Sequence, residues 1–316
     1  METLAPRSEL AGDAADAAAA YKGRVYPLSD LSAPDPKLIL DALFGAGLNK
    51  ALEGAAAHAV SLWRDRVPVI AVDVPSGLHG DRATSIGGAI CPATLTVTFE
   101  GKKPAHVLYP GKTLCGEVVV APIGMPLGAV NAAGASIALE NGPDLWRAAF
   151  PVPGFSAHKH ARGHAMVVSG GLTQTGAARL AAMAALRAGA GLVTVLSPPS
   201  ALTTHAAHLT AVMLAKVSTP EETAAKALGA QAVVVGPALG IGDGERGAVL
   251  ALALGPASLV LDADVFSLFK SDPEALFAVL RPNDVLTPHV GEFNRLFPGV
   301  LEASVNRIAA AKEAAR

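Results

Sequence analysis

Leu38-Ile39-Leu40-Asp41-Ala42-Leu43-Phe44-Gly45-Ala46-Gly47-Leu48 is an apolar run that ends on a carboxylate and passes into a glycine loop. The arrangement returns in Val69-Ile70-Ala71-Val72-Asp73-Val74-Pro75-Ser76-Gly77. Short apolar runs bounded by turn residues read as strands buried on both faces, the kind used in parallel sheets. In such a sheet the carboxyl ends of the strands open onto the ligand crevice, which is where Asp41 and Asp73 fall. Their oxygens, with the Ser76 hydroxyl, suit a hard cation or a hydroxylated ligand. The backbone at Gly45 and Gly47 can come close to a phosphate. Each segment alone reads equally well as a turn capped by its own Asp.

Outward from these two segments the pattern repeats. Further strands are predicted at residues 24–26, 95–99, 118–121, 165–169, 192–196, 232–235, 259–261 and 285–286. Between them, Leu52, Ala56, Ala59 and Trp63 follow a helical period, and residues 176–188 read as a buried helix that Gly189 ends. Strands alternating with helices predict an α/β protein with parallel, doubly wound sheets. A length of 316 residues suits two domains at roughly 150 residues each. Small, weakly patterned residues place the boundary at 128–139, giving domains over 1–130 and 140–316. Hydrophobic residues are 51% of the chain and aromatics 4%, so alanine, valine and leucine must fill the interior.

With 25 basic and 27 acidic residues the net charge is -2. No concentrated basic patch points to a nucleic-acid or membrane-surface partner. Two cysteines, Cys91 and Cys115, exclude a disulfide framework, leave a single bridge open, and make a reduced cytoplasm the simplest setting. The first residues lack the basic start and apolar core of a signal peptide.

Thr96-Val97-Thr98-Phe99-Glu100-Gly101-Lys102-Lys103-Pro104 ends a strand with two lysines. Either one can contact phosphate, assist proton transfer or stay in solvent. In the second half, Gly170-Gly171 and Thr175-Gly176-Ala177-Ala178 follow a strand and open a helix. That corner presents free N–H groups to an anion. The histidines of His158-Lys159-His160-Ala161-Arg162-Gly163-His164 match no zinc spacing. Leu259-Val260-Leu261-Asp262-Ala263-Asp264 offers Asp262 for magnesium-bound phosphate and Asp264 as a helix N-cap. Val285-Leu286-Thr287-Pro288-His289-Val290-Gly291-Glu292-Phe293 sets His289 at a strand end, able to bond a polar ligand, with Glu292 in the first turn of a helix.

In order, Asp-Ala-Leu-Phe-Gly-x-Gly-Leu, Val-Asp-x-Pro-Ser-Gly-Leu, Thr-Phe-x-x-x-Lys-Pro, Tyr109-Pro110-Gly111 and Gly116-Glu117-Val118-Val119-Val120 resemble the NAD(P)H-hydrate epimerase domain. The resemblance covers about residues 9–126. It implies a Rossmann-like three-layer fold that interconverts the R and S hydrates of NADH or NADPH. It also implies potassium at Asp41 and Ser76, and hydrate contacts at Gly45, Ala46, Gly47, Leu48, Asn49, Lys50, Ala51 and Asp73. Lys50 stands where the family usually has Arg, and Ala51 where it usually has Pro. The family's Asn-Asn-Gly-Gly-Asp loop has no counterpart here.

Residues 145–316 carry Gly-Gly…Thr-Gly-Ala, Ala188-Gly189-Ala190-Gly191-Leu192-Val193, Gly-Pro-x-Leu-Gly, Leu-Asp-Ala-Asp and Thr-Pro-His-x-Gly-Glu-Phe. This set is similar to the NAD(P)H-hydrate dehydratase domain, of ribokinase-like α/β/α fold. By that resemblance Ala177, Gly240 and His289 line a second hydrate site. Ala238 replaces the usual Gly and Val290 the usual Pro. The family's Lys-rich loop and closing Gly-x-Gly-Asp segment are not in the sequence, so both domains are expected to be incomplete and the chain truncated at both ends. Together the resemblances imply a bifunctional repair protein using potassium, magnesium and ATP or ADP, with hydrated NADH or NADPH as substrate, cytoplasmic and homo-oligomeric. A ribokinase-type small-molecule kinase and an inactive fragment that only binds ligand are the rival readings.

Overall fold

The computed structural model describes residues 1–28, 36–64, 67–126, 128 and 138–316. They divide into two units, Met1–Pro143 with Ala303–Arg316, and Asp144–Glu302. Most of the expected boundary at 128–139 lies outside the described residues.

In the first unit the quoted runs become a parallel sheet of β1 (Ile39–Asp41), β2 (Val69–Val72), β3 (Leu95–Phe99) and β4 (Glu117–Ala121), in that spatial order. Helix α1 (Gly54–Trp63) joins β1 to β2 and buries Ala56, Ala59 and Val60. Ala56 and Ala59 pack with Leu28, and Val60 packs with Ile39, Leu52, Val69 and Cys91. A short helix, α2 (Pro104–Val107), follows β3 with proline in its first turn, where the missing N–H costs nothing. Cys91 and Cys115 are buried free thiols, and burial pushes the Cys115 thiol up to about 11. The strand expected at 24–26 is a short parallel pair, Glu2–Thr3 with Tyr26–Pro27.

One strand end departs from expectation. β2 stops at Val72, and Asp73 turns left-handed with φ 72. A hydrogen bond from Val74 N to Val72 O at 3.0 Å closes the turn. Few side chains tolerate this backbone state, and Asp is among the most tolerant.

The second unit holds β5 (His164–Val168), β6 (Leu192–Ser197), β7 (Met213–Lys216), β8 (Ala232–Val235), β9 (Ser258–Leu261) and β10 (Val285–Leu286). All pair in parallel, in the order β10-β9-β8-β5-β6-β7. The chain starts in the middle, winds outward to β7, returns beside β5, and winds the other way. This is the expected doubly wound sheet, and its reversal between β5 and β8 is where such sheets take ligands. Helix α3 (Thr175–Ala188) follows β5 and ends at Gly189, whose φ is 112 and whose N–H returns to Ala185 and Leu186. Helix α4 (Asp243–Ala253) follows β8, α5 (Asp264–Leu268) follows β9, and α6 (Val290–Leu296) follows β10. Phe266 and Phe269 are fully buried here, each stabilising the unit by about 1.5–3 kcal/mol. β7 is an addition to the strands predicted.

Asp264 is not the N-cap of α5. Ala263 takes that position with φ 47 and no side-chain cap bond. Asp264 becomes the first helical residue, and its carboxylate reaches Gly240 instead. Among the described residues no helix is long and apolar enough to cross a membrane.

Candidate functional sites

The first candidate site lies at the carboxyl ends of β1, β2 and β3. Asp41 is the last residue of β1, and both Asp41 and Ser76 are fully buried. Ser76 Oγ donates to Asp41 Oδ1 at 2.6 Å and Ser76 N to Oδ2 at 2.8 Å. Leu43 N adds a long bond of 3.4 Å to Oδ1, and Phe44 N donates to Ser76 Oγ at 3.1 Å. The start of the glycine loop is thus tied to the turn after β2. Burial drives the Asp41 pKa above the ordinary carboxylate value, against the Ser76 hydroxyl and the Ser76 and Leu43 amides. Among the described residues no cationic side chain pairs with Asp41. A buried carboxylate and a hydroxyl oxygen without a protein counter-charge among the described residues fit a hard cation. No group of three or more His, Cys, Asp or Glu that could hold a metal ion occurs among the described residues.

Asp73 faces the same loop. Its Oδ2 accepts Ala46 N at 2.9 Å, and its Oδ1 accepts Thr98 Oγ1 at 2.9 Å and Lys103 Nζ at 2.7 Å. Burial pushes its pKa up, but Lys103, Ala46 and Thr98 outweigh that and hold the carboxyl below the usual range. Of the other expected contacts, Leu48 N bonds Gly45 O at 3.2 Å, while Gly47, Asn49, Lys50 and Ala51 stand exposed. Sequence reasoning missed the buried His106. Its Nε2 lies 2.8 Å from Asp73 O and its Nδ1 2.9 Å from Lys103 N. A lone histidine in a four-residue helix carries no periodic signal that could have found it.

The second candidate site lies at the reversal between β5 and β8. A Cβ on Gly170 would sit 1.9 Å from Ala238 O, so the two glycine loops touch as backbone. Gly240 is half-buried, and its N–H donates to Asp264 Oδ2 at 2.9 Å. Asp262 Oδ1 accepts the Thr287 hydroxyl at 2.9 Å. His289 caps α6: its Nδ1 accepts Gly291 N at 3.0 Å and Glu292 N at 3.3 Å. The ring proton therefore sits on Nε2, 3.1 Å from Glu292 Oε1, and Glu292 Oε2 accepts His289 N at 3.0 Å. Both nitrogens of this exposed ring are engaged within its own helix. Among the described residues no hydrogen bond joins Ala177 to Gly240 or His289. Ser169 and His205, also missed, form a buried pair at 2.7 Å. Burial, with Arg179 beside it, holds the His205 imidazole below its ordinary pKa.

Residues 1–105 match the family model described as YjeF-related protein N-terminus, and residues 165–316 the one described as NAD(P)H-hydrate dehydratase. A Coxiella burnetii protein named bifunctional NAD(P)H-hydrate repair enzyme Nnr is 32% identical over 299 residues, 92% of this chain and 59% of that protein. A Mycobacterium leprae protein of the same name is 38% identical over 262 residues, 82% of this chain and 51% of that one. The chain thus spans a little over half the length of the relatives it matches. Among solved structures, a ribokinase-like superfamily protein from Enterococcus faecalis covers 49% of this chain and 55% of its own, with 22% identity and a TM-score of 0.43. An ADP/ATP-dependent NAD(P)H-hydrate dehydratase from Bacillus subtilis covers the same shares, with 25% identity and a TM-score of 0.40.

Proposed function

Because the chain joins a YjeF-related N-terminal domain to a domain of the NAD(P)H-hydrate dehydratase family, we propose that it repairs hydrated NADH and NADPH. The first unit equilibrates the R and S hydrates, and the second returns the S hydrate to the reduced cofactor. One observation supports this most directly: Asp41, a buried carboxylate with no cationic partner among the described residues, is bonded at 2.6 Å to Ser76 beside a glycine loop that Asp73 braces.

Asp41 and Ser76 hold potassium, whose charge offsets the buried carboxylate and stiffens the loop. The backbone of Gly45 to Ala51 receives the phosphate-bearing part of the hydrate, and Asp73 accepts a hydrogen bond from it. In the second unit, Ala177, Gly240 and His289 line the hydrate site. Bound ATP or ADP with magnesium would supply a phosphoryl group to the ring hydroxyl, leaving ADP or AMP; loss of phosphate and a ring proton would then restore the reduced ring, phosphate being a far better leaving group than hydroxide. Asp264 keeps the Gly240 amide in place, and the capped start of α6 presents the His289 imidazole.

The purified chain is incubated with the separated R and S hydrates of NADPH, with and without ATP or ADP. Interconversion without nucleotide, and return of the NADPH absorbance only with nucleotide, is the expected result. Phosphorylated product without restored absorbance would instead identify a small-molecule kinase. Binding without either reaction would identify a ligand-binding fragment.

A further inference from the structure

Asp73 is restrained at its backbone as well as its carboxylate. Lys103 Nζ is held by three acceptors, Asp73 Oδ1 at 2.7 Å, Thr98 Oγ1 at 2.8 Å and Phe99 O at 3.2 Å. A solvated lysine would leave its ammonium in water, whereas this one is half-buried and fixed at the end of β3. His106, 3% exposed, ties the main chains of the same two residues together. Its Nδ1 accepts the Lys103 N–H, which leaves the ring proton on Nε2 to be donated to the Asp73 carbonyl. Burial pushes the His106 pKa down and so keeps this neutral tautomer in place. The imidazole thereby supports Asp73 in its left-handed turn at φ 72, a backbone state that persists only where the surroundings over-determine it. An aspartate that merely ended a strand would need neither the lysine nor the imidazole.

We propose that Lys103 and His106 are positioning residues of the epimerase half, holding Asp73 as a fixed, charged acceptor for the hydroxyl group of the hydrate. This rests on the function proposed above and adds two residues to it. Thr98 orients both partners of the ion pair, donating to one and accepting from the other. The charged and titratable groups near Asp73 are Lys103, His106 and, through His106, Lys102. From the glycine loop only the Ala46 amide reaches it. Without Lys103, burial would act on Asp73 with less opposition, and the carboxylate would take up its proton at a higher pH.

Calorimetric binding of the separated R and S hydrates of NADPH to the whole chain across acid to neutral pH tests this, with epimerisation followed in the same samples. Binding to the unsubstituted chain is expected to fail only at low pH. Lys103→Met moves that failure to higher pH and weakens binding at neutral pH by about tenfold. Lys103→Arg restores most of both. Lys103→Gln removes the charge but keeps hydrogen bonding, and gives the same reading should the Met variant not fold. His106→Gln weakens binding at every pH without moving the acid limb, since the side chain bonds main-chain atoms and not the carboxylate. An acid limb unchanged in both Lys103→Met and Lys103→Gln would overturn the positioning role while leaving the repair function standing. Absence of hydrate binding by the unsubstituted chain would overturn that function, and the positioning role with it.

Discussion

Ala238 sits in the crevice of the second unit with φ 51, a state that costs an L side chain about 1–2 kcal/mol and glycine almost nothing. Glycine also loses more freedom on folding, so Ala238→Gly is expected to stabilise by about 0.5–1 kcal/mol, seen as a higher thermal midpoint. Asp41 has the opposite character, its strain being electrostatic. Its folded pKa lies above the unfolded value, so its contribution to stability is present below the unfolded value and is lost as pH rises through the folded one. A cation that favours the ionised form should restore what is lost. At neutral pH, potassium at about 100 times its Kd should stabilise the fold by about 3 kcal/mol over tetramethylammonium at equal ionic strength, seen as a higher thermal midpoint. The gain should vanish in Asp41→Asn and at acid pH; a gain that survives in Asp41→Asn would move the ion elsewhere. Asp41, Ser76 and Asp73 were legible in the sequence because a carboxylate that closes an apolar run, just ahead of a glycine turn, stands out from its neighbours. Their bonding was not, because Asp73 gathers partners from both directions, Ala46 27 residues earlier and Thr98 and His106 25 and 33 residues later.

Among elements, strand placement did not depend on burial of both faces, since β3 and the edge strand β10 were placed to the residue. β8 was placed to the residue, and β5 and β9 to within one. β7 was missed although the apolar run Ala211–Ala215 leads into it; its ends at Met213 and Lys216 are exposed. The β8–β9 layer has little room to spare. A Cβ at Gly236 would lie 1.8 Å from Asp262 O, at φ 121. Gly236→Ala should therefore cost about 3 kcal/mol or more, read as a lower urea midpoint. Helix α6 begins on His289, whose ring takes the place of the usual Ser or Asp cap. His289→Ala should cost about 0.5–2 kcal/mol of stability. His289→Asp should regain the cap while leaving dehydration lost, which separates helix support from ligand contact in one pair of measurements.

At the scale of the molecule, the two main sheets are parallel, as alternating strands and helices predicted, and the proposed function places one site at the strand ends of each. Asp73→Asn should abolish epimerisation and leave nucleotide-dependent dehydration of the S hydrate intact; His289→Ala should do the reverse. Equal loss of both activities in either variant would contradict two separate sites. Asn suits the Asp73 test because it tolerates a left-handed backbone while carrying no charge. The match to the dehydratase family runs on to residue 316, while in packing residues 303–316 group with the first unit, where Asn306 Nδ2 donates to Asp81 O at 2.9 Å. The chain therefore leaves the first unit after Pro143 and re-enters it at Ala303. A single proteolytic nick inside residues 144–302 would split the first unit into two peptides without freeing either. A clean swap of the second unit for a homologous one requires two splice points, not one.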